Sequence, residues 1–251
     1  MPWFEVRDLV KKYPLEGEQV HALNKISFDL NRGDFVAIVG RSGSGKTTLL
    51  RILAGLLRKS SGSLFINGKE LQDGDSYRVG MVFQEPRLMP WLTVEKNILF
   101  PFLNGSKKDF PRERAQHLLE VLGLTAFKNA YPSQLSGGMA QRVALGRMLC
   151  YDPELVLMDE PLSALDYFTR RSLQEEILHL HEQGGKTMLL VTHDVEEAIL
   201  LSKRIFILDK GYLIDSVSVD LPHPRSRSSK GFFTLWERIL SLIEQGAHAE
   251  P

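Results

Sequence analysis

The chain has 251 residues, 43% hydrophobic and 25% charged, with 31 basic residues against 31 acidic ones. Its mean hydropathy of −0.14, and the lack of any apolar run of the roughly 20 residues needed to span a bilayer, exclude a membrane-spanning helical protein. The balanced charge provides no global field for nucleic acid, and the lone Cys150 excludes an internal disulfide and suits a reducing compartment.

Met1 to Asp8 lacks a basic region followed by an apolar stretch, so no secretory signal is expected. Phe4 to Leu9 and Ile26 to Leu30 alternate apolar and polar residues and predict strands. Phe35 to Val39 is continuously apolar, the pattern of a strand buried on both faces. It leads into Gly40-Arg41-Ser42-Gly43-Ser44-Gly45-Lys46-Thr47-Thr48, and Thr47 to Leu57 then predicts a helix. Leu64 to Ile66 followed by Asn67-Gly68 predicts a strand entering a hairpin.

A further strand is predicted at Val79 to Phe83, followed by Gln84 and the proline-bracketed Pro86 to Leu92. Arg112 to Leu122 carries apolar residues at helical spacing, and Met139 to Cys150 predicts another helix behind a second glycine loop, Leu135 to Arg142. Residues 85–150 thus form a helical insert. Leu155 to Met158 predicts a buried strand ending at Asp159-Glu160, and Phe168 to Gln183 an amphipathic helix. Thr187 to Thr192 predicts a buried strand, and a hairpin runs from Arg204 to Leu208 and Tyr212 to Ile214. A polar stretch, His223 to Lys230, leads to a short terminal helix. Strands alternating with helices predict an α/β fold with a parallel sheet core.

The first glycine loop fits the phosphate-binding pattern G-x-x-x-x-G-K-[ST] between a buried strand and a helix. Gly40, Gly43 and Gly45 let backbone amides close around phosphate, Lys46 supplies a point charge, and the Thr47 hydroxyl is suited to Mg²⁺. Asp159 and Glu160 supply one carboxylate for the metal and a second to orient and deprotonate water. Gln84 and His193 follow strand ends, where ligands bind in open α/β sheets. Four strand ends, at Val39, Phe83, Met158 and Thr192, are therefore expected to deliver Lys46, Gln84, Glu160 and His193 to one edge. Ser136, Gly137 and Gly138 offer a second set of free amides at a helix start.

These motifs, with Ser163-Ala164-Leu165-Asp166, occur in the order and spacing of the ABC ATPase family, which the chain resembles over residues 3–220. The resemblance implies a P-loop NTPase with a mostly parallel central sheet, an N-terminal antiparallel β subdomain and the helical insert. Residues 1–220 would form the ATPase domain and 221–251 a polar linker with a short helix. It implies head-to-tail homodimers, each ATP lying between one subunit's phosphate loop (Gly40 to Thr48) and the other's signature loop (Ser136, Gly137, Gly138, Met139). Lys46, Gln84, Glu160 and His193 would serve catalysis, with Glu160 as base. Thr47, Gln84 and Asp159 would hold Mg²⁺, and Asp166 would link the two sites. Tyr13 would stack on adenine, or else cover the sheet edge. The family's signature carries Gln or Glu where this chain has Met139, which removes a side-chain hydrogen bond there.

Phe83 to Val94 and Leu221 to Arg225 resemble nitrate/sulfonate/taurine importers. In such systems the segment after Gln84 forms a groove for a membrane permease, with Leu88, Met89 and Trp91 as apolar contacts; the same residues could instead fill the insert's core. A solute-binding protein would act indirectly, and the chain would sit at the cytoplasmic face of the membrane. The rival readings are an ABC ATPase of DNA maintenance or translation, and a small-molecule kinase. The first lacks its coiled-coil insertion or second ATPase half; the second leaves the signature loop unexplained.

Overall fold

The computed structural model describes residues 2–15, 18–72, 75, 77–103, 111–163 and 165–248, and divides into two compact units. The first comprises Met1–Tyr77 with Gly185–Pro251, the second Arg78–Gly184. The helical segment expected at residues 85–150 lies inside the second unit.

In the first unit, β1 (Phe4–Leu15) pairs antiparallel with β2 (Glu18–Leu30) and with β4 (Ser61–Ile66), which pairs with the short β5 (Lys69–Glu70). This is the expected antiparallel N-terminal layer. β1 and β2 run well beyond the predicted strands, because their distal halves are exposed hairpin with no apolar alternation to mark it. Asn67 and Gly68 both take positive φ, 50° and 75°, as a two-residue turn matching the strand twist requires.

The same unit holds β3 (Phe35–Val39), buried along its whole length and paired in parallel with β8 (Thr187–Thr192) on one side and β9 (Arg204–Asp209) on the other. β10 (Tyr212–Ser218) adds antiparallel to β9. Helix α1 (Lys46–Leu53) follows β3 and ends four residues before the predicted end, followed by Ala54 as its cap and Gly55 with φ 69°. α6 (Val195–Leu201) is too short for sequence periodicity to reveal. α7 (Lys230–His248) packs on α6, β9 and β10, with Phe232 and Ile239 buried.

The second unit is built on a parallel pair, β6 (Val79–Val82) and β7 (Leu155–Asp159). Helix α4 (Gly137–Cys150) packs against β6 and against α2 (Val94–Ile98), α3 (Arg112–Val121) and α5 (Tyr167–Gly184). α4 begins two residues before the sequence prediction, because the Ser136 hydroxyl caps it by accepting from the Met139 amide at 3.3 Å. Cys150 is buried at its end, packing as a small hydrophobe.

Candidate nucleotide site

The first glycine loop is shaped from behind. Gly45, the residue before α1, has φ 101°, and a Cβ there would lie 2.3 Å from the carbonyl oxygen of Ala22 in β2. A Cβ on Gly40 would lie 2.0 Å from the carbonyl oxygen of Leu208 in β9. Neither position admits a side chain. Gly43, with φ 81°, has open space around it instead. Within the loop the Lys46 ammonium donates to the carbonyls of Gly40 and Arg41, both at 2.8 Å, and the side chain is buried. The Ser44 hydroxyl is buried without a protein hydrogen-bond partner, while its amide donates to Arg41 at 3.2 Å. A buried unpaired hydroxyl in a loop of exposed Arg41, Ser42 and Gly43 fits a polar ligand. Thr47 and Thr48, in the first turn of α1, are half-buried.

His193 emerges beside this loop. Val39 of β3 is in register with Thr192 of β8, so Gly40 and His193 leave neighbouring parallel strands at the same level. His193 is exposed, and the next residue, Asp194, caps α6 by accepting from the Glu196 and Glu197 amides at 2.9 and 3.2 Å. Tyr13 is 38% exposed on β1, with the Lys11 ammonium 5.0 Å from its ring centroid.

The second unit pairs two more strand ends. Val82 is in register with Met158, so Gln84 and Glu160 each lie two residues past a matched pair. A hydroxyl joins them: Gln84 Nε2 donates to Ser163 Oγ at 3.1 Å, and Ser163 Oγ donates to the Glu160 carbonyl at 3.0 Å. Glu160 itself has φ 45°, in the left-handed region that a non-glycine residue enters only when its surroundings hold it there. Asp159 is buried. Gln141, buried on α4, donates to the Phe83 carbonyl at 3.1 Å and so ties the signature helix to the backbone just before Gln84.

In the signature loop Ser136 and Gly137 are exposed, Gly138 is buried, and Met139 is half-buried. Asp166 is exposed, its Oδ1 accepting from the Phe168 and Thr169 amides at 3.0 and 3.1 Å. Its carboxyl is held below the usual range by the Thr169 hydroxyl and by these amides.

A family model described as ABC transporter matches residues 23–163. The chain belongs to the ABC transporter family. This ABC ATPase is 42% identical, over 95% of each chain, to the aliphatic sulfonates import ATP-binding protein SsuB of Bacillus cereus. It is 42% identical to the taurine import ATP-binding protein TauB of Pelagibacter ubique, over 94% of this chain and 92% of that one. An uncharacterized ABC transporter ATP-binding protein of Methanocaldococcus jannaschii is 43% identical over 96% and 91% of the two chains. Among solved structures, a dimeric ATP-binding cassette in a post-hydrolysis state, bound to ADP and Pi, superposes with a TM-score of 0.77 at 32% identity, covering 87% of this chain and 100% of that one. The fold is that of a P-loop ABC cassette, and the enzyme is an ATPase.

Sequence reasoning gave no role to Ser163, Thr169 or Asn97. Asn97 is fully buried on α2; its Oδ1 accepts from the Met89 amide at 2.8 Å, and its Nδ2 lies 3.0 to 3.1 Å from the carbonyls of Met89, Leu92 and Thr93. One side chain thereby folds the segment after Gln84. Its only trace in the sequence is a polar residue on an otherwise apolar helix face.

Proposed function

We propose that the chain is the ATP-hydrolysing subunit of an importer for a small solute of the nitrate, sulfonate or taurine kind. The observation that carries this reading is the close similarity, over nearly the whole chain, to import ATP-binding proteins for aliphatic sulfonates and taurine. In this reading residues 1–220 are the ATPase domain. Lys46 and the amides of Gly40 to Thr48 bind the phosphates, and Tyr13 stacks on adenine. Thr47, Gln84 and Asp159 hold Mg²⁺; hydroxyl, amide and carboxylate oxygens are the hard donors this ion takes alongside phosphate oxygens. Mg²⁺, when bound, neutralises charge developing on the phosphates.

Glu160 orients and deprotonates the attacking water, and its carbonyl, anchored by Ser163, keeps the backbone bent toward that task. His193 contacts the γ-phosphate. Two copies close head to tail, so that Ser136, Gly137, Gly138 and Met139 of one complete the site of the other, with Asp166 linking the sites. Because the γ-phosphate contacts both copies, it favours the closed pair, and hydrolysis removes that preference.

The coupling surface in this reading is the segment after Gln84. Met81, Phe83, Met89, Phe100, Met148 and Tyr151 line a groove of about 450 Å³ within the second unit. Arg147, at the groove wall, donates to the carbonyls of Pro86 and Arg87 at 2.9 Å and fixes that segment to α4. Met89 lines the groove, whereas Trp91 is 69% exposed and is not part of its lining; a helix of the permease is the occupant assigned here. The chain then works at the cytoplasmic face of the membrane, with a solute-binding protein on the other side.

Uptake of labelled taurine and alkanesulfonates in cells deleted for this chain tests the reading. Uptake restored by the wild type and not by Glu160→Gln supports it. Unchanged uptake, together with an ATPase rate stimulated by DNA or ribosomes, would overturn it in favour of a non-transport ABC ATPase.

A further inference from the structure

The two glycines of the signature loop differ in what surrounds them. A Cβ on Gly137 would meet nothing within 4 Å, whereas one on Gly138 would lie 2.3 Å from Cγ2 of Thr169 in the first turn of α5. The signature backbone therefore rests directly on a threonine methyl. Asp166 Oδ1 accepts the Thr169 amide at 3.1 Å and so fixes the backbone of that residue. A β-branched side chain has few χ1 choices on a fixed backbone. Asp166 thus holds the residue whose methyl seats Gly138.

We propose that Thr169 is a positioning residue that locks the signature loop and Asp166 into one rigid element, so that both meet the second copy of the chain in fixed spacing. This rests on the reading above, in which Ser136 to Gly138 and Asp166 act on the second copy. Gly138 is required because Thr169 occupies the space of any side chain there. Gly137 is left free to face outward.

The test uses the full-length Glu160→Gln protein and measures the ATP concentration that half-saturates dimerisation, beside monomer ATP affinity and thermal midpoint. Thr169→Ser loses the methyl, whereas Thr169→Val keeps it and is the control. Thr169→Ser is expected to raise the dimerisation midpoint about tenfold and Thr169→Val to hold it near the parent's, with monomer ATP affinity and thermal midpoint unchanged in both. Gly138→Ala should abolish dimerisation, and adding Thr169→Ser should restore it by opening the space that the new Cβ needs.

Dimerisation by Thr169→Ser at the parent's ATP midpoint overturns the proposal, as does a shift in Thr169→Val as large as that in Thr169→Ser. So does a Gly138→Ala defect that is equally deep with and without Thr169→Ser. If Glu160→Gln itself stays monomeric at saturating ATP, the head-to-tail reading fails and this proposal falls with it; the parent control thus separates the two failures.

Discussion

The Lys46 ammonium and the Gly40 carbonyl, six positions apart, are joined by a hydrogen bond of 2.8 Å that draws the phosphate loop around its own lysine. The charge is thereby aimed across the mouth of the loop by the loop's own backbone. Lys46→Ala should remove both the phosphate charge and this internal tie. Equilibrium titration with ATP should show affinity lowered at least tenfold, and unchanged affinity would refute the assignment of the loop.

Glu160→Gln should reduce ATP turnover by a factor of about 10² to 10⁴, the range for loss of a general base, while leaving ATP binding intact. The expected product is a stable ATP-bound dimer, visible by size-exclusion chromatography. Substantial residual hydrolysis would sink the role of Glu160 as base.

Ser163→Ala deletes the hydroxyl that connects Gln84 to the Glu160 carbonyl. A single hydrogen bond contributes about 0.5–1.5 kcal/mol, so kcat should fall roughly three- to tenfold. KM for ATP should not move, since Ser163 is assigned no contact with the nucleotide. A change confined to KM would show that the bridge does not serve Glu160.

Asn97→Ala leaves the Met89 amide without its side-chain acceptor and frees the backbone from Met89 to Thr93. A buried group left unpaired costs about 1–3 kcal/mol, which should appear as a lowered thermal midpoint. Solute uptake should fall more steeply than the ATPase rate of the isolated subunit, because the damage lies in the coupling segment. Equal loss of both would place the damage in the catalytic machinery.

Burial pushes the Cys150 thiol up to about 11 from its ordinary value of 9.0, against a smaller opposing pull from Arg114. The raised folded value means that the unfolded chain ionises first. Stability should hold below pH 9 and decline as pH rises from about 9 toward 11. At pH 8 a thiol reagent should label the native protein far more slowly than the denatured one, and Cys150→Ala should flatten the alkaline decline. Rapid native labelling would contradict the burial.

Much of this was legible in the sequence because the motifs are local. The loop from Gly40 to Thr48 and the apolar strands Phe35 to Val39 and Thr187 to Thr192 each carry their own signal, and the structure places them as read. The distal halves of β1 and β2 were not legible, since an exposed hairpin has no buried face to impose alternation. Nor were Ser163, Thr169 and Asn97. Their roles depend on partners such as Gln84, Gly138 and Met89, and no periodicity encodes a contact between one side chain and a distant backbone. Glu160 was read as an acid at a strand end, but its left-handed backbone follows only from the surroundings that hold it.

The crowding behind Gly40 and Gly45 has a thermodynamic side. With Leu208 and Ala22 pressed against its glycines, the loop has already given up its conformational freedom on folding. A nucleotide arriving there meets a mould that is already set, so little of its binding energy is spent on ordering the protein.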